Sequence, residues 1–197
     1  MKKVLIATNN KGKAKDFETL FEPLGIEVHT LQHLEEEIDV EETGTTFEEN
    51  ARLKAETVAN LLNMTVIADD SGLVIDALNG APGVYSARYA GNDSTDDENI
   101  DKALKALENI TEDNRTARFV CVLAVARPNE DTLFFEGACE GFITTERIGE
   151  NGFGYDPIFY VPSKARTMAQ LTPEEKSEVS HRGDALSKLQ AVLPSIV

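Results

Sequence analysis

Asp69 and Asp70 follow the apolar run Val66-Ile67-Ala68 and lead straight into Ser71-Gly72. A short β-branched run bounded by a turn predicts a strand from the interior of a sheet. Ligands in α/β folds gather at the carboxyl ends of such strands. Two carboxylates there repel each other and are poorly solvated unless a cation or a proton resolves the conflict. An acidic pair at a strand end also fits a chain that is simply re-entering water, so its company elsewhere in the sequence decides between the two. Glu41-Glu42 supplies further carboxylates. Hard oxygen ligands without histidine or cysteine beside them suit Mg²⁺ or Mn²⁺ rather than zinc.

Several basic and glycine-rich segments add to this. Thr8, Asn9, Asn10, Lys11, Gly12 and Lys13 join an expected first strand to an expected first helix. Backbone N–H groups at such a helix start point towards an anion, and the two lysines add charge. The loop resembles a Walker A loop but is not one: Ala7 stands where its first glycine would be and Ala14 where its hydroxyl would be. Asn50 and Lys54 fall on one helical face, where Lys54 either pairs with Glu48 or Glu49 or serves as a phosphate ligand. In Gly149-Glu-Asn-Gly-Phe-Gly-Tyr-Asp156 the glycines permit close approach to a planar ligand, and Phe153 or Tyr155 either stacks on a base or anchors the loop to the core. Lys176, His181 and Arg182 form a cluster of donors in an otherwise acidic chain. Arginine and histidine can donate to a purine 6-keto oxygen, which adenine lacks.

The totals exclude some functions. A net charge of −16 over 197 residues argues against non-specific binding to nucleic acid or anionic membranes. With 41% hydrophobic and 27% charged residues, the chain has the composition of a soluble globular protein. Cys121 and Cys139 lack metal-ligand spacing and lie in apolar stretches, as buried thiols in a reducing compartment do. The apolar run near the N-terminus is too short for a signal peptide, which makes the cytoplasm the expected location.

Strands are expected over 3–8, 26–31, 66–69, 119–126 and 158–161. Shorter ones are expected at 132–137 and 141–146, with a hairpin-like return through Leu73-Val74-Ile75. Helices are expected over 12–24, after the capping box Thr46/Glu49, after a second box Thr95/Glu98, and from Thr172-Pro173 onward. Residues 35–45 read as an acidic, turn-rich segment. Alternating strands and helices with hairpins in the middle predict an α/β fold on a mixed sheet.

The segments TNNKGK (8–13), FEENARLKA (47–55), ADDSGL (68–73), PGVYSARYAG (82–91), GFGYDPIF (152–159), LTPEEKS (171–177) and SHR (180–182) occur in that order from end to end. Together they resemble the non-canonical purine nucleoside triphosphate pyrophosphatases, also called inosine triphosphate pyrophosphatases. The resemblance implies hydrolysis of ITP, dITP and XTP to the monophosphate and pyrophosphate, which clears deaminated purines from the nucleotide pool. It implies one domain over residues 1–197, built as an elongated mixed β-sheet flanked by helices, with two lobes and a central nucleotide-binding cleft. Mg²⁺ dependence, a homodimer and a cytoplasmic location come with it, and neither nucleic acid nor membrane is an expected partner. By the same likeness Thr8, Asn9, Asn10, Lys11, Gly12 and Lys13 hold the triphosphate, Lys176 assists, and Ser71 contacts substrate. Asp70 is proton acceptor and metal ligand, with Glu41 the second ligand and Glu42 its near rival. Phe153, Gly154, Tyr155 and Asp156 receive base and sugar, and His181 with Arg182 reads the base.

Two other functions fit parts of the pattern. A pyrophosphatase for modified pyrimidine triphosphates would share the phosphate chemistry, but the SHR cluster and the glycine-aromatic loop favour purines. A non-catalytic nucleotide sensor would need no aspartate poised beside a metal.

Overall fold

The first strand, β1 (Lys2–Ile6), is followed by helix α1 (Lys11–Phe21), strand β2 (Ile26–Thr30), helix α2 (Phe47–Leu62) and strand β3 (Val66–Ile75). β1 pairs in parallel with β2, from Lys2↔Ile26 to Ile6↔Thr30, and with β3 at Ile6↔Ile67. The chain thus steps from β1 outward to β2 and then back past β1 to β3. Right-handed crossovers in opposite directions put their helices on opposite faces of the sheet. The gap between β1 and β3, where the direction reverses, is a topological switch point.

The computed structural model describes residues 2–34 and 38–195, so residues 35–37 of the acidic segment lie outside the described residues. The remaining elements are helix α3 (Asp96–Ala106), strands β4 (Thr116–Ala126), β5 (Leu133–Ile143), β6 (Phe159–Val161) and β7 (Arg166–Thr167), and helices α4 (Pro173–Val179) and α5 (His181–Leu189). The strands make one mixed sheet in the order β2-β1-β3-β4-β5-β6-β7, with β5-β6-β7 antiparallel. Among the described residues no helix is long and apolar enough to cross a membrane.

Two compact units divide the chain: 1–70 with 121–137 and 182–197, and 71–120 with 138–181. In the first, strand alternation separates two cores. Val4, Ile6, Ile67, Cys121, Leu123 and Val125 pack with Phe17 and Phe21 of α1 and with Ala185, Leu186 and Leu189 of α5. The intervening residues Leu5, Ala7, Val66, Ala68, Val122 and Ala124 pack with Ala51, Ala55, Val58 and Ala59 of α2. In the second unit, Ile100, Ala103 and the adjoining Leu107 join Leu73, Ile75, Phe119, Ile158 and Phe159 in one core.

Both capping boxes form as expected, Thr46 accepting from the Glu49 amide and Thr95 from that of Glu98. Three expectations are corrected. Ser71-Gly72 does not turn: β3 runs straight through it for ten residues. Going straight buries Leu73 and Ile75 completely in the second core, and the Leu73 amide donates to Ser86 Oγ at 2.8 Å. The expected pieces at 132–137 and 141–146 are one strand, β5. Gly141 lies within it because a Cβ there would stand 2.3 Å from the Tyr160 carbonyl oxygen of neighbouring β6. The last helical segment is divided at Ser180, whose ψ of 154° is extended, so that α5 starts at His181.

Candidate active site

β1 ends at Ile6, level with Ile67, so Asp69 and Asp70 follow the last parallel pair of β1 with β3, at the switch point. Successive residues of a strand face opposite sides. Asp69 therefore shares the face of Ile67, under α1 and α5, while Asp70 shares that of Ala68, under α2. Each acid meets cations from its own side. Lys13 Nζ of α1 lies 3.2 Å from Asp69 Oδ2, and Arg182 Nε of α5 lies 3.4 Å from the same oxygen. Arg182 also donates from Nη1 to Asp16 Oδ2 at 3.1 Å. Lys54 Nζ of α2 lies 3.8 Å from Asp70 Oδ1 and makes a direct ion pair with Glu42.

Asp70 is only 4% exposed. Burial pushes its carboxyl up to about 6, although Lys54 and Lys13 pull it back. Burial works to discharge Lys54, but the charges of Asp69, Glu42 and Asp70 outweigh it and hold the ammonium above its ordinary range. The expected pairing of Lys54 with Glu48 or Glu49 does not occur: Glu48 pairs with Arg52, and Lys54 reaches back to the loop before α2.

The segment after β1 is tied down by its own polar groups. Thr8, which is buried, accepts from the Asn10 amide at 3.1 Å through Oγ1. Asn10 caps α1, its Oδ1 accepting from the Lys13 amide at 3.0 Å. Asn9 donates from Nδ2 to the Ile38 carbonyl, and its own carbonyl accepts from Gln32. Lys11 is exposed, and half-buried Gly12 follows it at the open end of the helix.

The second unit gathers a different group. Lys176 of α4 and Asp156, both buried, form an ion pair at 2.9 Å. Asp156 Oδ2 also accepts from the Phe153 amide at 3.1 Å, and Lys176 Nζ lies 4.7 Å from the Phe153 ring centroid. Gly152 has φ +78°, and a Cβ on it would stand 2.0 Å from Asp156 Oδ2, so this turn admits only glycine. Gly154 donates to Asp96 Oδ2 at 2.7 Å, and Tyr155 donates its hydroxyl to the Ser86 carbonyl at 2.7 Å. His181 is buried and stacks on Phe119, with ring centroids 4.9 Å apart. Half-buried Ser71 belongs to this unit as well.

Residues 4–192 match the model of the Ham1 family. This chain belongs to the Ham1 family. A relative from Listeria monocytogenes serotype 4b, named a dITP/XTP pyrophosphatase, is 57% identical over all of this chain and 97% of its own length. One from Oceanobacillus iheyensis with the same name is 52% identical over the whole of both chains. The structure of the Staphylococcus aureus Ham1 protein matches with a TM-score of 0.86 at 52% identity, over 98% of this chain and 99% of that one.

The Ham1 chain thus brings Lys13 and Arg182 to Asp69, and Lys54 and Glu42 to Asp70. It brings Lys176 to Phe153 and Asp156. His181 and Arg182, adjacent in sequence, fall in different units. Glu41 is exposed and makes no hydrogen bond or ion pair among the described residues. Sequence reasoning missed Asp16 and Asp96; each acts through a fold-dependent contact, to Arg182 and Gly154 respectively, that no local spacing announces. A divalent ion fits the donor chemistry around Asp70, which is all carboxylate oxygen. Among the described residues no three His, Cys, Asp or Glu side chains cluster closely enough to hold a metal alone.

Proposed function

We propose that this Ham1 chain, acting as a single domain over residues 1–197, is a nucleoside triphosphate pyrophosphatase. It hydrolyses dITP, ITP and XTP to the monophosphate and pyrophosphate. The observation that carries the chemistry is Asp70, a buried carboxyl at a switch point with two lysines near it. The substrate class follows full-length identity to proteins named for dITP and XTP. In this reading Mg²⁺ is held by Asp70 and Glu41, because Glu42 is already engaged by Lys54. The ion supplies charge neutralisation and activation of water.

This chain's own groups do the rest. Thr8 to Lys13 offer backbone amides and lysine charge to the triphosphate, and Lys54 exchanges carboxylate for phosphate oxygen as substrate enters. Asp70 orients a water for in-line attack on the α-phosphorus and takes its proton on the carboxylate; pyrophosphate leaves with the electron pair of the broken P–O bond. Phe153, Gly154, Tyr155 and Asp156, braced by Lys176, receive base and sugar, and Ser71 contacts substrate. His181 donates to the 6-keto oxygen. Arg182 is a further substrate donor, held in place by Asp16 and Asp69. A homodimer in the cytoplasm completes the proposal, and the buried free thiols of Cys121 and Cys139 suit a reducing compartment.

The test is a panel of ITP, dITP, XTP, GTP, dUTP and methylated pyrimidine triphosphates with pyrophosphate detection, run with and without Mg²⁺. Deaminated purines should be cleaved first, and only with the ion. Asp70→Asn should nearly abolish turnover while nucleotide affinity stays within about tenfold, because the group acts on the water rather than on binding. Glu41→Gln should raise the Mg²⁺ requirement more than Glu42→Gln. Full turnover by Asp70→Asn, or no pyrophosphate from any purine, would refute the proposal.

A further inference from the structure

The loop over residues 38–46 carries Glu41 and Glu42 and has no helix or strand of its own. Its carboxylates are placed by whatever grips the loop. Asn9 holds its start through the Ile38 carbonyl, and three side chains of α2 hold the rest: Lys54 through the Glu42 carboxylate, and Glu49 and Asn50 through the backbone. Glu49 accepts from the Thr45 amide at 2.7 Å and the Thr46 amide at 3.2 Å, which is the ordinary work of a capping box. Asn50 reaches further back: its Oδ1 accepts from the Gly44 amide at 2.7 Å, two residues from Glu42.

Asn50 is an expensive residue at this position. It is fully buried at 0% exposure, in a helix whose neighbouring buried positions are Ala51 and Ala55. Alanine is the better helix former and carries no polar group to desolvate. The Asn50 Nδ2 finds no acceptor among the described residues, so half of the amide's desolvation is not offset there. Gly44 is fitted to it: a Cβ there would stand 2.6 Å from Asn50 Oδ1 and 2.7 Å from the Glu49 Cβ. One turn on, along the same face, is Lys54, the partner of Glu42 and Asp70. One buried amide therefore fixes the loop against the helix face that carries the cation.

We infer that Asn50 is a positioning residue. Through Gly44 it holds the Glu41–Glu42 segment so that Glu41 can act together with Asp70 on a divalent ion while Glu42 holds Lys54. The ion itself rests on the function proposed above; the grip on the loop does not.

Full-length wild type, Asn50→Ala and Gly44→Ala are compared by three measurements. These are Mn²⁺ binding by electron paramagnetic resonance without nucleotide, hydrogen exchange of the amides over 43–46, and Mg²⁺ titration of ITP hydrolysis. Both variants should weaken Mn²⁺ binding and raise half-saturating Mg²⁺ by about tenfold or more. At saturating Mg²⁺, kcat should stay within about threefold of wild type, because no group that touches the reacting atoms has changed. Exchange over 43–46 should quicken in Asn50→Ala while the body of α2 stays protected. Unchanged Mn²⁺ affinity and Mg²⁺ requirement in a folded variant overturn the inference, as does unchanged exchange at Gly44 in Asn50→Ala. If Asn50→Ala fails to fold, Gly44→Ala decides by the same metal measurements, since it moves the loop and keeps the buried amide. A wild type that binds Mn²⁺ but cleaves no triphosphate, beside variants that lose the ion, overturns the proposed function and supports the inference.

Discussion

Replacing Asp70 by asparagine should make the metal-free protein more stable. The Asp70 carboxyl sits at about 6 in the folded chain against an ordinary value of 3.8, chiefly because burial disfavours its charge. The folded state therefore binds this proton more tightly than the unfolded state does. Ionised Asp70 works against folding: the penalty is absent below 3.8, grows as pH rises from 3.8 towards 6, and is complete above that. A shift of about two units corresponds to about 3 kcal/mol at pH ~7.5, and to about 1 kcal/mol near pH ~4.5. Asparagine keeps the shape without the charge, and Lys54 retains Glu42 as its partner, so no cation is stranded. Urea unfolding of wild type and variant in chelator, across this pH range, reads the difference directly. For a chain of this size the gap at neutral pH amounts to about 6–12 °C in Tm. Added Mg²⁺ should then raise wild-type stability and leave the variant almost unmoved, since only the former offers the carboxylate. A variant that is equally or less stable at pH ~7.5 in chelator, or a gap that does not shrink on acidification, refutes the assignment of Asp70 as an acid held charged at the expense of the fold.

Two further outcomes follow from the buried polar groups. Lys176→Met should lose about 3–5 kcal/mol by urea unfolding because it strands the Asp156 carboxylate, and Lys176→Met/Asp156→Asn should recover much of that loss. Neither cysteine should react with iodoacetamide in the native protein at pH ~8, whereas both should in urea: burial pushes the Cys139 thiol up to about 11 and that of Cys121 higher still.

What could be read in the sequence follows from how local each decision is. Thr46 and Glu49 form their box from neighbouring residues alone, so the start of α2 is legible to the residue. Ser71-Gly72 has turn chemistry, yet whether the chain turns there depends on a second core containing Leu73 and Ile75, built with Ile100, Phe119 and Phe159 from far along the chain. Gly141 looks like a strand end and is a strand interior, because its meaning lies in the approach of Tyr160 from β6. Ser180 ends one helix and lets another begin at His181, a break that no spacing rule announces.

The acidic pair shows the same limit at the site itself. Its residue types and its place after an apolar run point to chemistry, but an Asp-Asp dipeptide invites the thought of two charges sharing one cation. Consecutive strand side chains leave on opposite faces, so each acid has its direct cation contact on its own side, while Lys54 and Lys13 also act on both at longer range. Which helix waits on each face is then set by crossover direction, a property of the order β2-β1-β3. Asp69 meets Lys13 and Arg182 on one side. Asp70 meets Lys54 on the other, which that lysine divides with Glu42. The two acids are thus unequal although their side chains are identical. One lies within 3.4 Å of Lys13 and Arg182, and the other lies 3.8 Å from a lysine that also pairs with Glu42, with Lys13 acting at longer range; burial still raises its carboxyl. A carboxyl that burial raises despite its lysines gains from a divalent ion, and that is the ground for proposing the reacting role for Asp70 and not for its neighbour.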